Sequence, residues 1–327
     1  MADNENMGHY EEQVFEEITE DTEDISEDNE EISEDEDTEE IPEIKYKKKK
    51  SKVWIPVIFV ILLLIGFGTV MTMYQNTQLE KCFYQIQSNK VVDNMRIVAI
   101  SDLHLKEFGE NNERLVTEIK NLSPDIIAVV GDMNMESDPD NYTVVINLVQ
   151  NLNKVAPVYY SLGNHEIDAM LFKSSNIYKD IKTVGINIFN NEMETLNVNG
   201  NIVDVIGLTQ NPEQYYEYGQ KFFDKVMNEN PSNFKLVLTH YPENFQGVLD
   251  DYYIDLALSG HAHGGQVRLP VIGGLYSADQ GILPELCDGE HDIGNSKLII
   301  SRGLGKSGLV PRINNKPEIT VVDVGWY

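Results

Sequence analysis

Apolar residues between 95 and 325 fall into short runs, each followed by a polar, often glycine-containing turn. The runs from Arg96 to Ser101, Asp125 to Val130 and Ala156 to Leu162 are four to six apolar residues long. That length and density predict buried strands. The segments between them carry helical spacing instead. Leu115, Ile119 and Leu122 stand at i, i+4 and i+7 within 110–122, and Pro124 marks the stop. Val144, Val145, Leu148, Val149 and Leu152 line one side of 139–153, and a further helical stretch runs from Asp168 to Thr183. Alternation of strand and helix predicts an α/β fold with parallel pairing through crossover helices.

The pattern then shortens. Asn187–Asn190, Glu194–Val198 and Ile202–Leu208 read as strands, with Asn199-Gly200 as a hairpin turn between the last two. A helix is expected over 213–229, then buried strands over Phe234–Thr239 and Ile254–Ser259. Later strands are expected over Lys297–Ser301 and Ile319–Val324.

Ahead of this region the composition changes twice. Residues 1–44 hold 21 Asp and Glu and no Lys or Arg, and 45–52 hold six lysines. The acidic segment has too little apolar surface to offset its ordering entropy, so 1–44 is expected to be a disordered cytoplasmic tail open to a basic partner. From 53 onward 33 acidic residues face 19 basic ones without a dominant basic patch, which argues against nucleic acid as partner. The uncharged run VWIPVIFVILLLIGFGTVMTM follows the lysines. Its 21 residues would span roughly 31 Å as a helix, about one bilayer core. Lysines on its N-terminal side place the N-terminus in the cytoplasm and the rest outside a cytoplasmic membrane. The expected order is therefore tail 1–44, polylysine juxtamembrane segment 45–52, transmembrane helix 53–74, stalk 75–94 and exported domain 95–327. A cleaved signal sequence is the alternative, disfavoured by the run's length and position. Cys82 and Cys287 could pair outside the cell, and their spacing suggests no zinc site.

The chemistry-bearing residues gather just past the strand ends. Asp102 and His104 follow the first strand, Asp132 the second, and Asn164 and His165 the third. His240 follows the run at 234–239, and His261 and His263 follow the run at 254–259. In open α/β sheets this edge is where ligands bind. His261 and His263, two apart in an extended segment, would point the same way, and their flanking glycines would admit a substrate.

The order Asp-x-His, Gly-Asp, Gly-Asn-His-Glu, His, Gly-His-x-His across 95–265 resembles the calcineurin-like metallophosphoesterases. GHAHGGQVRLP at Gly260–Pro270, the later SRGLG and Lys316-Pro317-Glu318-Ile319 resemble the membrane-associated YkuE-type branch. More distantly they are similar to UDP-2,3-diacylglucosamine pyrophosphohydrolases. The resemblance implies two packed mixed β-sheets flanked by helices and a hydrolase of phosphoric ester or pyrophosphate bonds. It assigns Asp102, His104 and His263 to one divalent metal and Asn164, His240 and His261 to a second, with Asp132 bridging. A hydroxide between the metals would attack phosphorus, and mixed N/O ligation suits Mn, Fe, Co or Zn. His165 would act on the leaving oxygen, oriented by a carboxylate that the motif leaves open, since Glu166 stands where many members have Asp. Lys106 would contact a substrate phosphate or line the rim, and Arg268, Arg302 and Arg312 are further phosphate-binding candidates. Anchoring beside a membrane favours lipid-linked or cell-envelope substrates. A catalytically degenerate receptor or scaffold on the same fold is the alternative reading.

Overall fold

The computed structural model describes residues 54–325 except 136, 307 and 309. The acidic tail, the lysine run and Val53 lie outside the described residues. In chain order the elements are α1 (Trp54–Gln75), β1 (Glu80–Gln87), β2 (Met95–Ile100), α2 (Glu113–Asn121), β3 (Ile126–Val130), α3 (Thr143–Asn153) and β4 (Val158–Ser161). Then come α4 (Asn164–Lys173), α5 (Ile177–Thr183), β5 (Asn187–Phe189), β6 (Glu192–Val198) and β7 (Asn201–Leu208). A helical run of α6 (Pro212–Gln214), a π-turn (Tyr215–Gly219) and α7 (Gln220–Asn228) leads to β8 (Phe234–Thr239) and β9 (Leu256–Ser259). Two small hairpins follow, β10 (Arg268–Leu269) with β11 (Gly273–Gly274), and β12 (Tyr276–Ser277) with β13 (Gly281–Ile282). The chain ends on β14 (Gly289–Ile293), β15 (Ser296–Ile300) and β16 (Glu318–Gly325).

Two six-stranded mixed sheets result, in the orders β1-β16-β2-β3-β4-β5 and β14-β15-β9-β8-β7-β6. Strands β2 to β5 pair in parallel, as the strand–helix alternation predicts. Their apolar residues divide by the two-residue period. Ile97, Ala99, Ile126 and Ala128 point between the sheets with Val203, Leu236 and Leu256, while Val98, Ile100, Ile127 and Val129 face Leu115, Ile119, Leu148 and Ile181 of the covering helices. Burial on both faces explains why these strands read as continuous apolar runs. The Asn199-Gly200 turn joins β6 to β7, with both residues at positive φ.

Several expectations change. Residues 75–94 are not a stalk, because they contain β1, which pairs in parallel with β16 from Glu80↔Glu318 to Gln87↔Gly325. Its partner lies at the far end of the chain, so local pattern could not show the pairing. The helix expected from Asp168 starts at Asn164, because Glu166 accepts from the Gly163 N–H at its N-terminus. Cys82 and Cys287 are free thiols. Stretch 259–266 is bent rather than extended, with His261 at φ 66° and His263 at φ 49°.

α1 is apolar and 22 residues long, with none of them buried. Length and composition let it cross a membrane. The chain just after it is tied to the folded domain. Asn76 donates to the Arg312 carbonyl, 2.9 Å, the Lys106 amine donates to the Asn76 carbonyl, 2.8 Å, and Arg114 donates to the Thr77 carbonyl.

Candidate dinuclear metal site

Loops at the C-terminal ends of β2, β3, β4, β8 and β9 meet over one edge of the two sheets. Backbone bonds lace them together. The Asp102 N–H donates to the Gly131 carbonyl, His104 to Asp132, Gly260 to His240, Leu304 to Ser101 and Ser301 to Ser259. Asp102, His104, Asp132, His261 and His263 all take positive φ, which swings their side chains back over the edge.

The motif glycines permit this lacing. A Cβ on Gly131 would lie 2.6 Å from His240 Nδ1, one on Gly163 2.3 Å from Asp132 Oδ1, and one on Gly260 2.5 Å from Asp102 Oδ2. Gly264 and Gly265 lie against Arg302 and Gly274 in the same way. These glycines make room for neighbouring loops, rather than for a substrate.

The structure brings the predicted residues together. Asp102, His104 and His263 each place a ligand atom within 4.8 Å of the others, and so do Asp132, His240 and His261. His104 Nε2 is 3.1 Å from His263 Nε2, and Asp132 Oδ2 is 3.1 Å from His240 Nε2. Asp102 Oδ1 lies 3.5 Å from His263 Nε2 and 3.8 Å from His240 Nε2. Asn164 and His165 start α4 and line the same cavity, and His165 Nε2 lies 3.7 Å from Asp132 Oδ2.

Electrostatics follow from burial and the two acids. Burial alone would lower the His240 pKa, but the Asp132 carboxylate outweighs it and lifts the imidazole to about 10. For Asp132, burial would raise the pKa, yet His240 holds the carboxyl well below the usual carboxylate range. His104 goes the other way, pushed down to about 3 by burial, and His263 is pushed well below its ordinary value by burial and the Arg312 guanidinium.

The donor set fits divalent metal ions. Among the described residues, Asn164 Oδ1 and His240 Nε2 are buried without a hydrogen-bond partner. His240 Nδ1 lies 2.8 Å from the Val130 carbonyl, which holds a proton there and turns Nε2 toward Asp132 and Asp102; an ion held at Nε2 would replace the second proton that Asp132 stabilises on the metal-free ring. Buried acceptors converging with so few donors favour a cation.

Other residues have roles that the sequence did not reveal. Glu166, buried, accepts from the N–H groups of Asp132, Met133, Asn134 and Gly163 and from the Tyr160 hydroxyl, so it shapes the Asp132 turn. Asp279 lies 2.8 Å from His261 Nε2, and the His261 contact lowers its pKa. The arginine candidates are engaged elsewhere. Arg268 pairs with Asp288, Arg302 with Glu318 and Glu80, and Arg312 donates to the Gly305 and Asn315 carbonyls deep in the fold. Lys106 contacts the Asn76 and Leu304 carbonyls instead of the rim. Nothing in the local sequence marks Asp279, which approaches His261 only through the β12–β13 hairpin.

The calcineurin-like phosphoesterase family model matches residues 95–265. The chain belongs to the calcineurin-like phosphoesterase family. Its members are hydrolases that use a dinuclear divalent metal centre, and the clusters described above supply candidate ligands for one. The uncharacterized metallophosphoesterase YkuE of Bacillus subtilis is 30% identical over 240 residues, covering 70% of this chain and 78% of YkuE. Phosphodiesterase YaeI of Escherichia coli is 26% identical, covering 70% and 82%. The UDP-2,3-diacylglucosamine pyrophosphatase LpxG of Chlamydia muridarum is 24% identical, covering 70% and 83%.

Proposed function

We propose that this metallophosphoesterase is anchored by α1 in the cytoplasmic membrane, N-terminus inside, and hydrolyses lipid-linked or cell-envelope phosphoesters or pyrophosphates outside. The observation that carries the catalytic part is two adjacent acid–histidine clusters, Asp102–His104–His263 and Asp132–His240–His261, beside one cavity of 310 Å³ that Asp132, Asn164, His165, His261 and His263 line. Asp102, His104 and His263 would hold one divalent ion, Asn164, His240 and His261 the other, with Asp132 between them. Bound ions of this kind supply Lewis acidity, activating water and neutralising phosphate charge. Asp132 accepts the His165 N–H, 2.9 Å, on Oδ1, which leaves Oδ2 for the clusters. His165 stands at the cavity wall, where its imidazole can deliver a proton to the leaving oxygen. The lipid preference is supported by the apolar helix and by the pyrophosphatase relative.

Full-length protein in detergent, loaded with Mn or Zn, tests this reading. Metal content is measured by mass spectrometry, and a phosphodiester, a phosphomonoester and a lipid pyrophosphate are assayed side by side. Asp132→Asn should lose metal and turnover, and His165→Ala should keep metal and turn over at least tenfold more slowly. Wild-type protein that binds neither metal and hydrolyses none of the three overturns the reading. Protease added to intact cells should degrade the domain, and protection would reverse the topology.

A further inference from the structure

Exposed apolar side chains are ordinary when they occur singly. Leu269, Val271, Ile272, Ile282, Leu283 and Ile313 are all exposed, Val271 fully and Ile282 by 80%. They come from three segments that are hydrogen-bonded to one another. The Arg268 N–H donates to the Ile313 carbonyl, Leu275 to Val267 and Leu283 to Leu275. From Leu269 to Leu275 and from Gly281 to Pro284 there is no charged residue. The residues that line the metal-site cavity together with Asp132 and His165 include Tyr276, Ser277 and Ala278, which lie between the first two segments, and Val310, three residues before Ile313, so this apolar lip stands beside the cavity.

The position of α1 gives this apolar lip its neighbour. Asn76, directly after the helix, donates to the Arg312 carbonyl, one residue from Ile313. Glu80 begins β1 opposite Glu318, and Thr320 on the same strand pairs with Ala99 near the end of β2. The helix therefore leaves the domain at the sheet edge that carries the site, with four residues, 76–79, between α1 and β1.

We propose that the lip formed by 269–272, 282–283 and Ile313 is a membrane-docking surface. It seats in the headgroup–acyl boundary of the bilayer that α1 spans, so that amphiphilic phosphoesters enter the site sideways from the leaflet. This rests on α1 being a span. An uncharged apolar surface about an anion-processing site suits a lipid boundary, where side chains enter about 5–10 Å.

The full chain is reconstituted into phosphatidylglycerol/phosphatidylcholine vesicles. A Cys82→Ser, Cys287→Ser background carries one nitrobenzoxadiazole-labelled cysteine, from Val271→Cys, Ile282→Cys or Val92→Cys. Val92 is exposed and precedes β2, at the opposite sheet edge. Lipids brominated near the carbonyl end should remove most of the emission at 271 and 282 and leave that at 92. Alkaline carbonate washing should leave the protein in the vesicles. Retention without quenching at 271 and 282 overturns the lip while α1 remains a span. Release by carbonate overturns the span and the lip with it. Quenching at all three sites overturns the proposed orientation. Emission that shifts with the protein-to-lipid ratio but is not quenched means the lip packs on a second copy, and overturns docking.

Discussion

Glu166 is 0% exposed, and its two oxygens accept from four backbone N–H groups and one hydroxyl at 2.7–3.2 Å. Glu166→Gln keeps the shape and turns one oxygen into an NH2. If that group faces Asp132 and Gly163, two backbone N–H donors meet a donor. If it faces Met133, Asn134 and Tyr160, only the hydroxyl can reverse, and two N–H donors again lose their acceptor. Each buried, unsatisfied group costs about 1–3 kcal/mol, so the variant should lose about 2–6 kcal/mol of stability. Tyr160→Phe removes one bond to the carboxylate and should cost about 1.5 kcal/mol. The check is denaturant unfolding of the full chain in detergent, followed by near-ultraviolet circular dichroism. Because Glu166 also holds the Asp132 N–H, metal affinity should fall about 10–100-fold in the glutamine variant. A Glu166→Gln protein within about 1 kcal/mol of wild type, with unchanged metal affinity, would refute the account.

Gly163→Ala would put a Cβ 2.3 Å from Asp132 Oδ1, so metal content should drop; a fully loaded alanine variant would show that the turn can yield. Asp279→Ala, by freeing His261, should weaken by about 10–100-fold the ion that Asn164, His240 and His261 are proposed to hold, and leave the second proposed ion tight, as read by metal titration calorimetry. Lys235, buried, pairs with buried Asp204 at 2.7 Å, so Lys235→Met should cost about 3–5 kcal/mol in denaturant unfolding. For Asp204, burial would raise the carboxyl, but the Lys235, Thr195 and Asn233 contacts lower it. That stabilisation is present above the ordinary carboxylate pKa and is lost as pH falls through the lowered value. Lys235→Met should therefore begin acid unfolding at higher pH, and an unchanged acid midpoint would count against the pairing.

The strands that deliver Asp102, Asp132, His240 and His261 were legible because each is packed on both faces and therefore mostly apolar, with Arg96 in β2 and Lys235 in β8 as the charged exceptions. The helices covering them were legible from their 3.6-residue period. Boundaries were less so. α4 begins four residues before the apolar pattern suggests, since a Glu166 hydrogen bond, and no periodicity, sets its start. The half-buried, mixed sequence of β1 carries no comparable signal, and it is a strand because β16 offers an edge.

Sequence alone determined the α/β class, the candidate span and the order of strand-end acids, amide and histidines. Those features depend on neighbours a few residues away, or on side-chain chemistry that survives any packing. Tertiary structure decided which polar groups were left to meet a ligand. Arg302 is taken by Glu318 and Glu80, Arg312 by the backbone carbonyls of Gly305 and Asn315, and Lys106 by the chain just past α1. It also decided that Asp279 would reach His261, and that the apolar hairpin tips would gather at the edge where α1 leaves. Such pairings join residues far apart in the chain, where the burial and donor geometry that select a partner exist only after folding.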